Sequence, residues 1–227
     1  MAAPIPWRKR WLRVGAVRTP AGLAHVANPP ACCDVVALHI DSLLSAGLAE
    51  RDLEPIIKDA ASPLLLTFAT PSDGATVPAG DRRRIEVLAR LSRSGTAIDC
   101  EFSLLPADQA GAPQPVARGA VLVLSAHSFD RELSADEIEA RLAAMRRIPA
   151  KIYRLACPCN TPAALDAMEH VQRRHPNDTA LMGLGQLAAE SRQRLPAAGS
   201  RLLYGFLDEP SADGQPHASE LPAPPER

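Results

Sequence analysis

Short apolar runs and longer amphipathic stretches alternate along this chain from Leu12 to Phe206. Runs rich in β-branched residues and leucine occupy 12–17, 34–40, 64–68, 97–102, 121–125, 152–156, 180–184 and 201–206, giving eight candidate strands. Helical patterns lie between them, clearest over 81–94, 134–147 and 161–174. The last two carry start signals. Ser134 stands three residues before Glu137, the spacing of a reciprocal cap, and Thr161 precedes Pro162 at the first helical position. Ile138, Leu142 and Met145 in one, and Leu165, Met168 and Val171 in the other, recur at the spacing a helix needs to lie on a sheet.

Eight such repeats in 227 residues predict a single closed (β/α)8 TIM barrel. No glycine-rich phosphate loop follows any strand, so an open dinucleotide-binding sheet has little support. Two places break the pattern. The stretch Pro106-Ala107-Asp108-Gln109-Ala110-Gly111-Ala112-Pro113-Gln114-Pro115 is too rich in proline and glycine for a helix, so the fourth outer helix is expected to be degenerate. After Gln215 comes a proline-rich segment in place of an eighth outer helix. The expected organisation is an N-terminal segment over 1–11, a barrel over 12–215, and a disordered or extended tail over 216–227. The surface left by the missing helix offers a place for a partner subunit, and hence for a homodimer.

Composition narrows the function classes. Hydrophobic residues make up 46%, charged residues 22%, and the net charge is −1, which argues against a nucleic-acid partner. The basic cluster Arg8-Lys9-Arg10 is short, flanked by Trp7 and Trp11, and reads as a solvated segment. No apolar run has the length of a membrane span or of a signal peptide, so no membrane partner and a cytoplasmic location are expected. Five cysteines, odd in number and unevenly placed, suit reduced thiols better than a disulfide framework.

The candidate chemistry sits at the ends of the predicted strands. In chain order these carry Ala37, His39 and Asp41; Thr67 and Ala69, then Asp73-Gly74-Ala75; Asp99 and Glu101; Ser125, His127 and Phe129; and Arg154. Met182-Gly183, Ser191-Arg192, Gly199-Ser200 and Ser211-Ala212-Asp213-Gly214-Gln215 follow. Over roughly 34 to 215, this ordered series resembles the type I 3-dehydroquinate dehydratases of the shikimate pathway. Those lyases convert 3-dehydroquinate to 3-dehydroshikimate and water without a cofactor: a lysine forms an imine with the ketone, and a histidine moves the proton. The resemblance implies His127 as the acid–base residue and Arg192, Ser211 and Gln215 as a clamp for the substrate carboxylate and hydroxyls. It puts Asp73 in the acidic glycine turn, His39 where the family has an arginine, and Arg154 where it has the lysine. Ala37 and Ala69 replace a glutamate and a second arginine, so affinity for the family's substrate is expected to be poor.

Arg154 changes the activity the resemblance implies. A lysine can shed its proton and attack a ketone, whereas a guanidinium stays charged and offers no free amine. The chain has three lysines, Lys9, Lys58 and Lys151. Lys9 precedes the first strand and Lys58 falls in a helical stretch. Lys151 lies about 10 Å down the strand from Arg154 and, at odd spacing, on its opposite face. Arg154 is then either a ligand-binding cation or a plug paired with an inward acid such as Glu101. Cys157 and Cys159 could meet His39 and His127 as a soft metal site, but Cys-x-Cys is a weak signal and no metal is expected. Cys100, alternating with Asp99 and Glu101, should face the outer helices. Two readings remain. One is a degenerate homologue binding a small hydroxylated carboxylate or acting through protein contacts. The other is a working dehydratase or related lyase that uses His127 without an imine.

Overall fold

The computed structural model describes residues 3–69, 81–105, 119–211 and 214–224. Eight strands form one parallel sheet: β1 Leu12–Val17, β2 Val35–His39, β3 Leu64–Thr67, β4 Ala97–Glu101, β5 Val121–His127, β6 Ile152–Pro158, β7 Thr179–Leu184 and β8 Leu202–Phe206. Their hydrogen-bonded order is β7-β6-β5-β4-β3-β2-β1-β8. The sheet curls until β8 meets β7, where the Arg201 N–H donates to the Thr179 carbonyl at 3.1 Å. This is the expected (β/α)8 TIM barrel. Around it run α1 Ala24–Ala27, α2 Ile40–Ser45, α3 Glu50–Lys58, α4 Asp81–Leu91, α5 Ala135–Met145, α6 Pro162–Arg174 and α7 Ala188–Ala197.

Local signals set several of these elements. The Ser134 hydroxyl accepts from the Glu137 N–H while the Glu137 carboxylate accepts from the Ser134 N–H at 2.9 Å, a closed capping box at the start of α5. Thr161 caps α6 by accepting from the Ala164 N–H at 3.2 Å, with Pro162 at the first position. The strands alternate between two apolar layers. Val14, Ala37, Leu65, Ala97, Val123, Ile152, Ala180 and Leu202 fill the barrel. Leu38, Leu66, Ile98, Leu124, Leu155 and Leu181 meet the helices. A period of two therefore decides which side chains reach the barrel mouth.

Three expectations need revision. The second strand ends at His39, and Asp41 falls in the first turn of α2, because the chain passes directly from strand to helix at His39. The tail does not float free of the barrel: through Pro224 it is docked. His217 bridges Phe206, Ala218–Glu220 form a 3-10 turn, and the Trp11 Nε1–H donates to the Pro222 carbonyl at 3.1 Å. Leu221 packs with Trp11 and Leu203 on the outer face of β8. Gly205 permits this approach, since a Cβ there would stand 2.8 Å from the Ala218 Cα. The segment thus covers the strand an eighth helix would have covered, which removes the reason for expecting a partner subunit there. The N-terminal segment is only partly solvated. Arg8, Lys9 and Arg10 are exposed, but Ile5 and Trp7 join the inner core and stop the barrel floor. After β4 the chain makes a 3-10 turn over Phe102–Leu104. The proline-rich stretch 106–115 and Asp73 lie outside the described residues.

Candidate active site

The inward positions at the C-terminal strand ends enclose a cavity of about 110 Å³. His39, His127, Arg154, Arg192, Ser211 and Gln215 all line it, so the fold gathers every described candidate into one place. Arg154 stands on β6 opposite Ser125 of β5, in the same phase as the inner residues Ile152 and Ala156. Its Nη2 lies 3.0 Å from Asp99 Oδ2, and its guanidinium carbon sits 4.9 Å from the centre of the Tyr204 ring. The Tyr204 hydroxyl donates to the same oxygen at 3.2 Å. Burial, reinforced by the charge of Asp99, drives the Tyr204 phenol well above its ordinary range, so it remains a neutral donor. The acid that meets Arg154 is therefore Asp99 and not Glu101, because Glu101 is committed elsewhere.

Glu101 belongs to His127. The His127 Nδ1 and Glu101 Oε2 are 2.8 Å apart, the His127 backbone N–H donates to Oε1 at 3.3 Å, and the Ser125 hydroxyl donates to Oε2 at 3.3 Å. With Nδ1 donating to the carboxylate, Nε2 carries the lone pair, the arrangement of an oriented general base. The exposed Phe129 ring stacks parallel to the imidazole at 5.7 Å. His39 differs. Burial pushes its imidazole down to about 4, so at neutral pH it offers hydrogen bonds and no charge.

The carboxylate clamp that the resemblance implies has a further set of contacts. Arg192 is 3% exposed and turns its Nε to the Tyr204 carbonyl at 3.1 Å. Its Nη1 donates to the carbonyls of Gly183 at 3.1 Å and Ala188 at 2.8 Å. One guanidinium thus spans β7 and β8 at the seam where the ladder is missing. Burial lowers its pKa to about 10, and Nη2 makes no hydrogen bond among the described residues. Gln215 Oε1 accepts from both the N–H of Ser211 at 2.6 Å and its hydroxyl at 2.9 Å, so these two residues hold each other.

No lysine lines the cavity. Lys9 pairs with Asp34 at 2.6 Å, below the start of β2; Lys58 ends α3; Lys151 is exposed just before β6. Cys100, Cys157 and Cys159 belong to the outer core against the helices. Burial raises their thiols to about 12, 12 and 11, respectively. Two polar cavity residues are not among those singled out from the sequence, Arg18 and Tyr204. The two-residue phase that places Val14 and Leu202 inside leads to both, since Arg18 and Tyr204 continue those series.

Fold and site together define an α/β-barrel protein with a small-molecule cavity at its C-terminal mouth, walled by an acid–histidine pair and several guanidinium groups. The chain belongs to the type I 3-dehydroquinase family, whose family model matches residues 22–223. It is 30% identical over 212 residues to the 3-dehydroquinate dehydratase of Neisseria gonorrhoeae, covering 88% of this chain and 83% of that protein. With the enzyme of Clostridium kluyveri it shares 26% over 169 residues, spanning 70% of this chain and 66% of that protein's length. In fold it is similar to the 3-dehydroquinate dehydratase of Geobacillus kaustophilus, with a TM-score of 0.76 at 17% identity, covering 90% and 85% of the two chains. The type I enzyme of Clostridium difficile gives 0.76 at 16% identity, with 92% and 89% covered.

Proposed function

We propose that this chain is a divergent type I 3-dehydroquinate dehydratase-like protein that binds a small hydroxylated carboxylate in the barrel mouth and has lost the imine route. One observation carries the reading. The inward position on β6 holds Arg154, tied to Asp99, and all three lysines lie outside the cavity. A guanidinium cannot attack a carbonyl at any pH the fold survives. Arg192 Nη2 is the group offered to the ligand's carboxylate, with the Ser211–Gln215 pair beside it. No cofactor is invoked, and the reduced state of five free cysteines suits the cytoplasm. Among the described residues, no helix is long and apolar enough to cross a membrane.

The His127–Glu101 pair favours a second reading, an active dehydratase. There His127 takes the proton beside the ketone of 3-dehydroquinate or a related substrate, and water leaves without a covalent intermediate. Borohydride reduction in the presence of 3-dehydroquinate, followed by mass spectrometry, separates the cases. The wild-type protein is expected to gain no adduct and to show no turnover at rates typical of the family. A trapped adduct on any lysine sinks the proposal, while turnover without an adduct establishes the second reading. Arg154→Lys returns an amine to the cavity and is expected to trap the adduct.

A further inference from the structure

Three guanidinium groups line the cavity, and the structure treats them differently. Arg154 shares Asp99 with the Tyr204 hydroxyl. Arg192 and Arg18 contact no carboxylate through their guanidinium groups among the described residues. The cavity's acids are otherwise engaged: Glu101 holds His127, and Asp41 accepts from the Ala69 N–H at 3.3 Å. Arg18 extends the inner phase of β1 past its end. Its backbone N–H donates to the Asp208 carboxylate at 2.9 Å, its Nε to the Ser42 hydroxyl at 3.3 Å, and its Nη1 to the Pro210 carbonyl at 2.8 Å. These partners fix the guanidinium at the rim without neutralising it, and its Nη2 makes no hydrogen bond among the described residues.

Arg192 is anchored deeper. Its guanidinium bonds to the Tyr204, Gly183 and Ala188 carbonyls at the β7–β8 seam, whereas that of Arg18 is held by Ser42 in α2 and by Pro210 beyond β8. The two cations therefore share no anchor and stand on different walls of one cavity, so a molecule with an acidic group at each end can meet both. A guanidinium as buried as that of Arg192 is costly without a counter-charge, and at the half-exposed Arg18 a bound anion adds a charge-assisted contact.

Resting on the carboxylate-binding reading above, we infer that the ligand of this cavity is a small molecule with two separated acidic groups, one held at depth by Arg192 and the other at the rim by Arg18. Arg18 is then the residue that sets specificity for the second acid.

Isothermal titration with succinate, glutarate and adipate, each beside its monoacid of equal carbon number, reads both the preference and the spacing. Quinate serves as the hydroxylated monoacid, and 3-phosphoglycerate tests whether a phosphate replaces the second carboxylate. The best diacid should bind at least about tenfold tighter than its matched monoacid, the gain of one charge-assisted contact. Arg18→Gln should abolish that advantage and leave quinate unchanged, while Arg18→Lys, which keeps the charge, should retain part of it. Diacids no tighter than monoacids overturn the inference, as does an advantage that survives Arg18→Gln or is lost equally in Arg18→Lys. If quinate still binds in those cases, the simpler carboxylate reading stands. If no acid binds the wild-type protein, both fall.

Discussion

His39 shows how burial sets the charge of a single cavity residue. The unfolded chain protonates it near 6.5, whereas burial holds the folded imidazole neutral down to about 4. Within that window the unfolded state binds the extra proton, so acidification favours unfolding. The contribution is fully present above pH 6.5 and lost as pH falls towards 4, to a total of at most about 3 kcal/mol. His39→Gln should therefore lose less stability than wild type between pH 7 and pH 4.5 in urea titrations. Equal losses in the two proteins would contradict the buried neutral imidazole. Arg154 illustrates the opposite solution, in which a nearly buried charge is kept and matched. Its position was legible, because strand phase places residue 154 inward. Its partner was not: Asp99 and Glu101 share one phase on β4, and only the position of His127 on β5 decides which acid remains for the arginine.

The secondary elements record two ways of ending a hydrogen-bonded array. Helices α5 and α6 use caps written locally, at Ser134 and Glu137 and at Thr161 and Pro162, and so were readable from neighbouring residues. The β7–β8 seam uses a distant side chain. Arg192, from α7, supplies donors to Gly183 on β7 and Tyr204 on β8, whose strand starts are joined by the backbone bond from Arg201 to Thr179. Its role is thus structural, beside the ligand-facing one proposed above. Arg192→Ala should leave both carbonyls without their donors and cost about 3 kcal/mol. Amide exchange should quicken in β7 and β8 while β3 and β4 stay protected. Lysine should not restore the seam, because one ammonium lacks the fork that spans two strands. Uniform exchange across the sheet would show that Arg192 does not close it.

At the scale of the whole molecule, both chain ends finish the barrel. Ile5 and Trp7 stop its floor, and the segment through Leu221 covers β8, after which the described residues form no α-helix. Ending the chain at Gln215 would uncover Leu203 and Trp11 and forfeit the burial of Leu221, worth about 1.5–3 kcal/mol by itself. The melting temperature should fall by about 5 °C or more, and an unchanged value would show that the segment contributes nothing to stability. The sequence alone determined the alternation of strands and helices, the inward phase of each strand and the absence of an amine from the barrel mouth. These follow from periodicity and residue identity, which are local. Tertiary structure decided which acid meets which cation, how the seam closes and where the proline-rich segment lies. Those outcomes depend on residues brought from distant strands to within a few ångströms, where one charge or donor can satisfy only the partner it reaches.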